Sequence, residues 1–506
     1  MISVDGGPYG CWEDEMDTPD GDLPHEHDVE EVVVIGEKPI TAASSLTADA
    51  DDLRVRPLPR PGDLAEVMPG LFAVQHAGGG KANQYFVRGF DADHGTDIAL
   101  AVDGVPVNLV SHGHGQGYAD LHFVIPELVV GVDVRKGPYE VFDGDFATAG
   151  AVDMHLVDRV PESYATASVG RFGTARGLGV FGLESGASSA VLAAEVYATD
   201  GPFENPEGLS RYNAYGKFTA TLSDAARVSV GGSAYASGWT ASGQIPLRAV
   251  EAGQLSRFGT VDPTEGGQST RRQLWVDATV TPGHRELLTA SAWVGAYRLN
   301  MYSNFTFFAK DPVNGDQIEQ QDERVFSGFD AAYRIHHHLG PLTFATRLGT
   351  QGRADRIATG LWHDDDRERL STTVDADIEE VRIGAYVREE IGFDDVVRVI
   401  GGVRTDTFTF GVDDGLDLPG DGVRSSGVAD AQVLSPKANL IVTPLRQLDL
   451  FVNYGRGFHS NDARGVVRSD GPVDPITQAT GYEAGVRLRD GRAGESGRAR
   501  HETSGT

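Results

Sequence analysis

The sequence has a single cysteine, Cys11, in 506 residues. With no second thiol, an internal disulfide framework and any multi-cysteine metal or iron–sulfur centre are excluded. Basic residues are also scarce: 43 Lys+Arg stand against 74 Asp+Glu, a net charge of −31. That balance argues against nucleic acid as a partner, because phosphates must be neutralised by cations. Long apolar runs are missing too, and none approaches the roughly 20 residues of a membrane-spanning helix. A helical membrane protein is excluded; a membrane β-barrel, whose strands are only half apolar, is not.

Glycine, by contrast, is abundant at 64 residues without a collagen-like period, which predicts many turns and sheet kinks. Residues 1–28 carry nine acids and no basic segment followed by an apolar one, so they read as a solvated acidic lead rather than a secretory signal. Two readings follow: the protein stays in the cytoplasm, or its true start lies elsewhere. Residues 29–36 (VEEVVVIG) form a short β-branched run, and a polar linker follows to residue 60. Residues 61–160 hold short β-like runs at 84–89, 97–103, 128–135 and 151–157, broken by glycine. Pro61, with Asp63 placed to cap, predicts a helix start over 60–68. This block reads as a small α+β domain.

From residue 161 the texture becomes strict apolar/polar alternation, the period of a strand with two unlike faces. In 227–239, Val228, Val230, Gly232, Ala234 and Ala236 oppose Ser229, Gly231, Ser233, Tyr235 and Ser237. Segments 273–281 and 447–455 alternate as cleanly, and 164–172, 189–199, 215–222, 381–391 and 396–406 nearly so. Connectors are alternately short (184–188, 223–226, 281–285, 394–395, 443–447) and long (241–270, 302–323, 354–371, 412–431). One-sided long loops and strands of about 9–11 residues suit an outer-membrane barrel. A soluble β-sandwich or propeller is the competing reading, though no repeat of fixed period supports the propeller.

Four motifs now stand in order: Gly70-Leu71-Phe72-Ala73-Val74; Phe86-Val87-Arg88-Gly89-Phe90; Val102-Asp103-Gly104-Val105-Pro106-Val107; and Val134-Arg135-Lys136-Gly137-Pro138 leading to Gly150-Ala151-Val152. Together they resemble the plug domain of TonB-dependent outer-membrane receptors. Phe142-Asp143-Gly144 stands where the family has Tyr-Gly, and Ala149-Gly150-Ala151-Val152-Asp153 where it has Gly-Gly-Val-Val-Asn. The resemblance runs from about Val29 to about Leu488. It implies a mainly β fold: an N-terminal α+β plug domain at 61–160, inside a transmembrane antiparallel β-barrel at 161–489 of the receptor type with about 22 strands. About 14 strand candidates are visible, and 490–506 is a polar tail lacking alternation and the family's terminal aromatic. On that resemblance the barrel is expected to be partial, with two unpaired edges.

The resemblance further implies a location in the outer membrane of a Gram-negative bacterium, in contact with lipid. It implies active uptake of a scarce nutrient, foremost a ferric siderophore and otherwise a transition-metal chelate or cobalamin, and no enzymatic activity. The energising partner would be TonB. Val29, Glu30, Glu31, Val32, Val33, Val34, Ile35 and Gly36 resemble a TonB box, an extended peptide that adds to a partner's sheet edge. A rival of another class is a soluble or surface β-rich binding protein without transport.

Arg88, Gly89, Asp103, Gly104, Lys136, Gly137, Pro138 and Gly150 read as structural residues of the plug. Arg88, Arg135 and Lys136 need anionic partners, for which wall acids such as Glu389, Glu390 or Asp277 are expected. His94, His112, His114 and His122 lie within thirty residues beside several aspartates. On an extended backbone His112 and His114 would point the same way. With a carboxylate they could hold zinc, copper or nickel, or else bond the wall; no other cofactor is expected. His336-His337-His338 reads as a strand end. Gly78-Gly79-Gly80-Lys81 fails the phosphate-loop pattern because Ala82 follows the lysine, and fits a plug apex instead. Asp364-Asp365-Asp366 and Asp413-Asp414 read as acids of long loops, either solvated or making weak Ca²⁺ contacts.

Overall fold

In the computed structural model the described residues are 45–58, 60–76, 79–394, 396–417, 425–489 and 501–503. The TonB-box-like segment, Val29–Gly36, lies outside them. The N-terminal block contributes eight strands: β1 (Ser45–Asp49), β2 (Leu71–Val74), β3 (Gln84–Val87), β4 (Phe90–Asp91), β5 (Ile98–Val102), β6 (Val105–Pro106), β7 (Val129–Lys136) and β8 (Gly150–Leu156). Five form a mixed sheet in the order β1-β7-β8-β5-β6, and β2-β3-β4 form a second small sheet. The predicted helix start is a 3-10 helix, Pro61–Val67; Asp63 reaches back to the Arg60 amide at 3.0 Å and the Arg60 guanidinium at 2.6 Å. Leu64, Met68, Ile98, Leu100, Val132 and Met154 make the core between helix and sheet.

The rest is one antiparallel sheet of fifteen strands in sequence order. Its members are β9 (Tyr164–Val169), β10 (Ala175–Ser185), β11 (Ser188–Thr199), β12 (Leu209–Ser223), β13 (Ala226–Thr240), β14 (Gly266–Val280), β15 (Glu286–Ser303) and β16 (Gln317–Leu339). They continue as β17 (Leu342–Asp365), β18 (Glu368–Phe393), β19 (Val397–Asp414), β20 (Gly427–Leu445), β21 (Leu448–Ser460), β22 (Ile476–Arg489) and β23 (His501–Thr503). Among the described residues β9 and β23 are not paired with each other. Fourteen strands precede the polar tail, as the alternation predicts, and the tail adds three residues paired to Arg487–Arg489.

The sheet is inside out relative to a soluble one. Leu274, Val294, Val325, Ile383 and Val452 are exposed on its outer face, while Ser229, Arg271, Gln273, Asp322, Arg404 and Asn453 are buried on the inner one. Such a face is stable against hydrocarbon, where every backbone polar group is satisfied within the sheet. Connectors at one end span two to five residues; at the other they run over 241–265, 304–316, 415–426 and 461–475.

Two loop expectations are corrected. Residues 354–371 are not a long loop: β17 and β18 continue to a two-residue turn, Asp366-Arg367, with φ of 49° and 67°. Positive φ at both positions is the hairpin turn whose twist matches the strands. Asp364 and Asp365 therefore belong to a strand, and so do Asp413 and Asp414 at the end of β19. Their charge was misleading because a strand reaching past the membrane needs no apolar face. His336–His338 do lie at a strand end, beside the turn that joins β16 to β17.

Candidate functional site: the plug apex and its grip on the wall

The plug motifs have local physical reasons. Arg88-Gly89 closes the β3–β4 hairpin, with φ of 51° and 83°, and Asp103-Gly104 closes β5–β6, with φ of 47° and 74°. Both are two-residue turns with both φ positive, which glycine in the second position makes inexpensive. Asp103 also accepts the Leu156 amide at 2.7 Å and pairs with Lys217 of β12 at 2.8 Å. Lys136 and Gly137 end β7 beside Gly150, and the Pro138 carbonyl accepts from Lys437 of β20 at 2.6 Å.

The cations find other partners than expected. Arg88 pairs with Glu483 of β22 at 2.9 Å, and Lys136 sits beside the same two residues, its pKa lowered by burial and by Arg88. Arg135 binds Asp143 at 2.8 Å and Asp153 at 3.1 Å, both within the plug. Glu390 is taken by Arg388 and Arg398, and Glu389 by Thr346. Alternation tells which wall residues point inward, but not which strand faces a given plug residue.

The wall holds the plug in part by the plug's own backbone. Donors from β12 (Asn213), β14 (Arg271), β16 (Arg324), β17 (Arg353), β19 (Arg404) and β20 (Lys437) end on carbonyls of His122, Pro106, Val110, Asn108, Val141 and Pro138, at 2.6–3.4 Å. Three of these arginines share one geometry. Nε and Nη2 grip an aspartate two residues away on the same strand (Asp322, Asp355, Asp406), and Nη1 reaches the plug carbonyl. A charge two positions away on a strand lies on the same face, so each carboxylate compensates the buried cation and fixes its fork. Between plug and wall lies a cavity of about 550 Å³, lined among others by Asp103, Arg135, Asp145, Arg347 and Arg382.

At the long-loop end, three of the four predicted histidines converge. His112 stacks on Tyr118 (4.2 Å between centroids, 7° between planes), and His114 meets the edge of the same ring at 5.8 Å. His94 lies 4.9 Å from His114 and 5.5 Å from Tyr118, with His76 beyond it at 5.5 Å. His122 is elsewhere: its Nδ1 binds Asp120 Oδ1 at 2.6 Å. The backbone at 112–114 is not extended but bends, so that the His114 amide donates to His112 Nδ1 at 3.1 Å.

Burial keeps the group neutral. The pKa of His112 is pushed down to about 3 by burial, and that of His94 to about 4 by burial and nearby Lys81; His114 is lowered by the same causes. Lys81 itself is lowered by burial to about 8, against the pull of Asp93 and Glu265, and Glu265 is raised by burial to about 7. Gly79 and Gly80 press against Leu209 and Trp239 at the long-loop ends of β12 and β13, which puts the glycine-rich segment at a plug apex. Among the described residues no group of three or more His, Cys, Asp or Glu is arranged to hold a metal ion. The sequence reading placed Lys81 at a plug apex; it overlooked His76 and Tyr118, which carry no motif, and the Arg-x-Asp pairs, which do.

A plug under long loops, inside an inverted antiparallel sheet, defines the plugged-barrel class of membrane protein. The sequence matches the TonB-dependent Receptor Plug Domain over residues 38–151 and the "TonB dependent receptor-like, beta-barrel" family over 197–496. The chain belongs to the TonB-dependent receptor family. Similar solved structures include the ferric citrate transporter FecA in unliganded form (TM-score 0.75, 13% identity, covering 89% of this chain and 68% of that one). The siderophore receptor PiuA from Acinetobacter baumannii follows at 0.71 and 12%, covering 88% and 70%. The ferric yersiniabactin uptake receptor FyuA from Yersinia pestis gives 0.68 and 13%, covering 88% and 70%. At these identities the likeness is one of fold.

Proposed function

We propose that this protein is an outer-membrane receptor for active uptake of an iron chelate, foremost a ferric siderophore, energised by TonB through Val29–Gly36. The observation that carries this reading is the polar apex of the plug. His76, Lys81, His94 and His114 gather beneath the long-loop end of the wall, where a ligand arriving from outside meets the plug first. The kinds of ligand named for the similar receptors, ferric citrate and siderophores, support the same class. The wall's grip on plug carbonyls suits a gate that must stay seated until it is pulled. The test is uptake of radio-iron from a panel of ferric chelates by cells making the receptor, with and without functional TonB. Accumulation that is saturable, TonB-dependent and lost on dissipating the proton gradient supports the reading. Equal accumulation in cells lacking TonB would sink it.

A further inference from the structure

Arg334, Arg347 and Arg388 stand directly opposite one another on β16, β17 and β18, close to the short turn that joins β16 to β17. Residues so paired share a face of the sheet. Arg347 and Arg388 both reach the plug, so the rung lies on the inner face of the wall. Like charges opposite one another repel. Arg388 is compensated: Glu140 of the plug lies 3.3 Å from it, and Glu390 lies 3.0 Å away. Glu390, whose field also reaches Arg334, is shared with Arg398 at 3.6 Å. Arg334 and Arg347 form no ion pair among the described residues, and Arg334 Nε is buried without a hydrogen-bond partner.

Arg347 lines the cavity of about 550 Å³ between plug and wall. The other lysine and arginines of that lining, Lys217, Arg227, Arg135, Arg353 and Arg382, each have a carboxylate at 2.5–3.4 Å. Asp330, the lining acid on the neighbouring strand, is taken by the Gln351 amide at 2.5 Å, which also donates to the Phe142 carbonyl at 3.2 Å. Arg347 is held by rings instead. Its guanidinium lies over Phe142 of the plug, 4.6 Å from the centroid, and 5.8 Å from that of Tyr386. A guanidinium resting on a ring keeps its in-plane N–H groups for an oxyanion.

We propose that Arg334 and Arg347 form an oxyanion site at the short-turn end of the plug–wall cavity, filled by a carboxylate or phosphate group. Such an anion offsets the repulsion along the rung and gives the buried Nε an acceptor. The cavity has the volume of a small-molecule site. It lies at the other end of the plug from the histidines. Two sources supply this chemistry. One is the carboxylates of an anionic iron chelate on its way past the plug, which rests on the uptake reading. The other is free phosphate entering from the short-turn side, which does not.

The test uses the whole receptor in detergent at constant ionic strength, with inorganic phosphate and citrate as probes. Arg334→Gln, Arg347→Gln and Arg347→Lys are compared with the parent. Arg356→Gln, on the exposed outer face, controls for net charge. In the parent and the control, the melting temperature should rise saturably with either probe, and calorimetry should give one site. Both Gln variants should bind at least tenfold more weakly, and Arg347→Lys, with the charge but not the fork, should fall between. Without probe, Arg334→Gln should melt no lower than the parent, since a repelling charge has gone. Equal affinity in the parent and both Gln variants, or a parent without a saturable site, overturns the proposal. Uptake of ferric citrate separates the sources. A lower maximal rate in the Gln variants with unchanged binding at the cell surface assigns the site to cargo; parent rates with lost phosphate binding assign it to phosphate. If the parent shows no TonB-dependent accumulation of any ferric chelate, the uptake reading fails, and the calorimetry still decides the site.

Discussion

Arg404 and Asp406, two residues apart on β19, are both fully buried and joined by two hydrogen bonds of 2.6 Å. The guanidinium's third nitrogen reaches the Val141 carbonyl of the plug at 3.4 Å. Each half of the arrangement needs the other: the carboxylate holds the fork flat, and the fork keeps the carboxylate compensated. Removing one partner of a buried pair costs about 3–5 kcal/mol, whereas replacing both with apolar groups costs far less. Asp406 Oδ1 also lies 3.4 Å from the Arg382 guanidinium, so Asp406→Asn should lower stability by about that amount, while Arg404→Met, which leaves Asp406 its second cation, should lose less. Urea melts in detergent compare the two with the parent; an Arg404→Met variant weaker than Asp406→Asn would refute the argument.

The plug hairpins depend on positive φ. Gly104→Val places a β-branched residue where φ is 74°, at a cost of about 1–3 kcal/mol. Gly104→Asn should be nearly silent, since Asn tolerates that region. Limited proteolysis of the plug should be faster in the Val variant alone.

Acid should loosen the plug through its histidines. His112 and His94 have pKa values lowered to about 3 and about 4 in the folded protein, against 6.5 unfolded. The unfolded state binds more protons over this interval, so their contribution to stability is complete above pH 6.5 and lost as the pH falls towards 3. The slope limit is about 1.4 kcal/mol per pH unit for each ring. His112→Gln should flatten the acid arm of a stability–pH curve measured between pH 7.5 and 4.5. An arm equally steep in the variant would show that His112 is not a source.

Coupling to the energising partner should depend on an extended backbone at Val29–Gly36. Proline removes a donor from any added strand, so Val33→Pro should abolish energised uptake and leave ligand affinity intact. Uptake at the parent rate would remove the assignment of this segment.

Much of the molecule was legible in one dimension. Alternation in segments such as 227–239 gave strand positions and faces, because a strand's side chains alternate whatever lies around it. The motifs Arg88-Gly89 and Asp103-Gly104 marked turns, because a two-residue hairpin restricts φ locally. The Arg-x-Asp pairs 353–355 and 404–406 were equally readable, since both members must share a face. What sequence could not supply was which faces meet. Glu483, 395 residues from Arg88 in sequence, is its partner only because the sheet carries β22 around to the plug. Charge at 354–371 suggested a loop, because composition cannot distinguish a solvated loop from a strand extending beyond the membrane. The four histidines were visible as a list, but only the packing of His94 and His114 around Tyr118, with His122 drawn off to Asp120, decided which ones stand together. Local periodicity fixes strands and turns; pairing over hundreds of residues is settled by how the wall packs upon the plug.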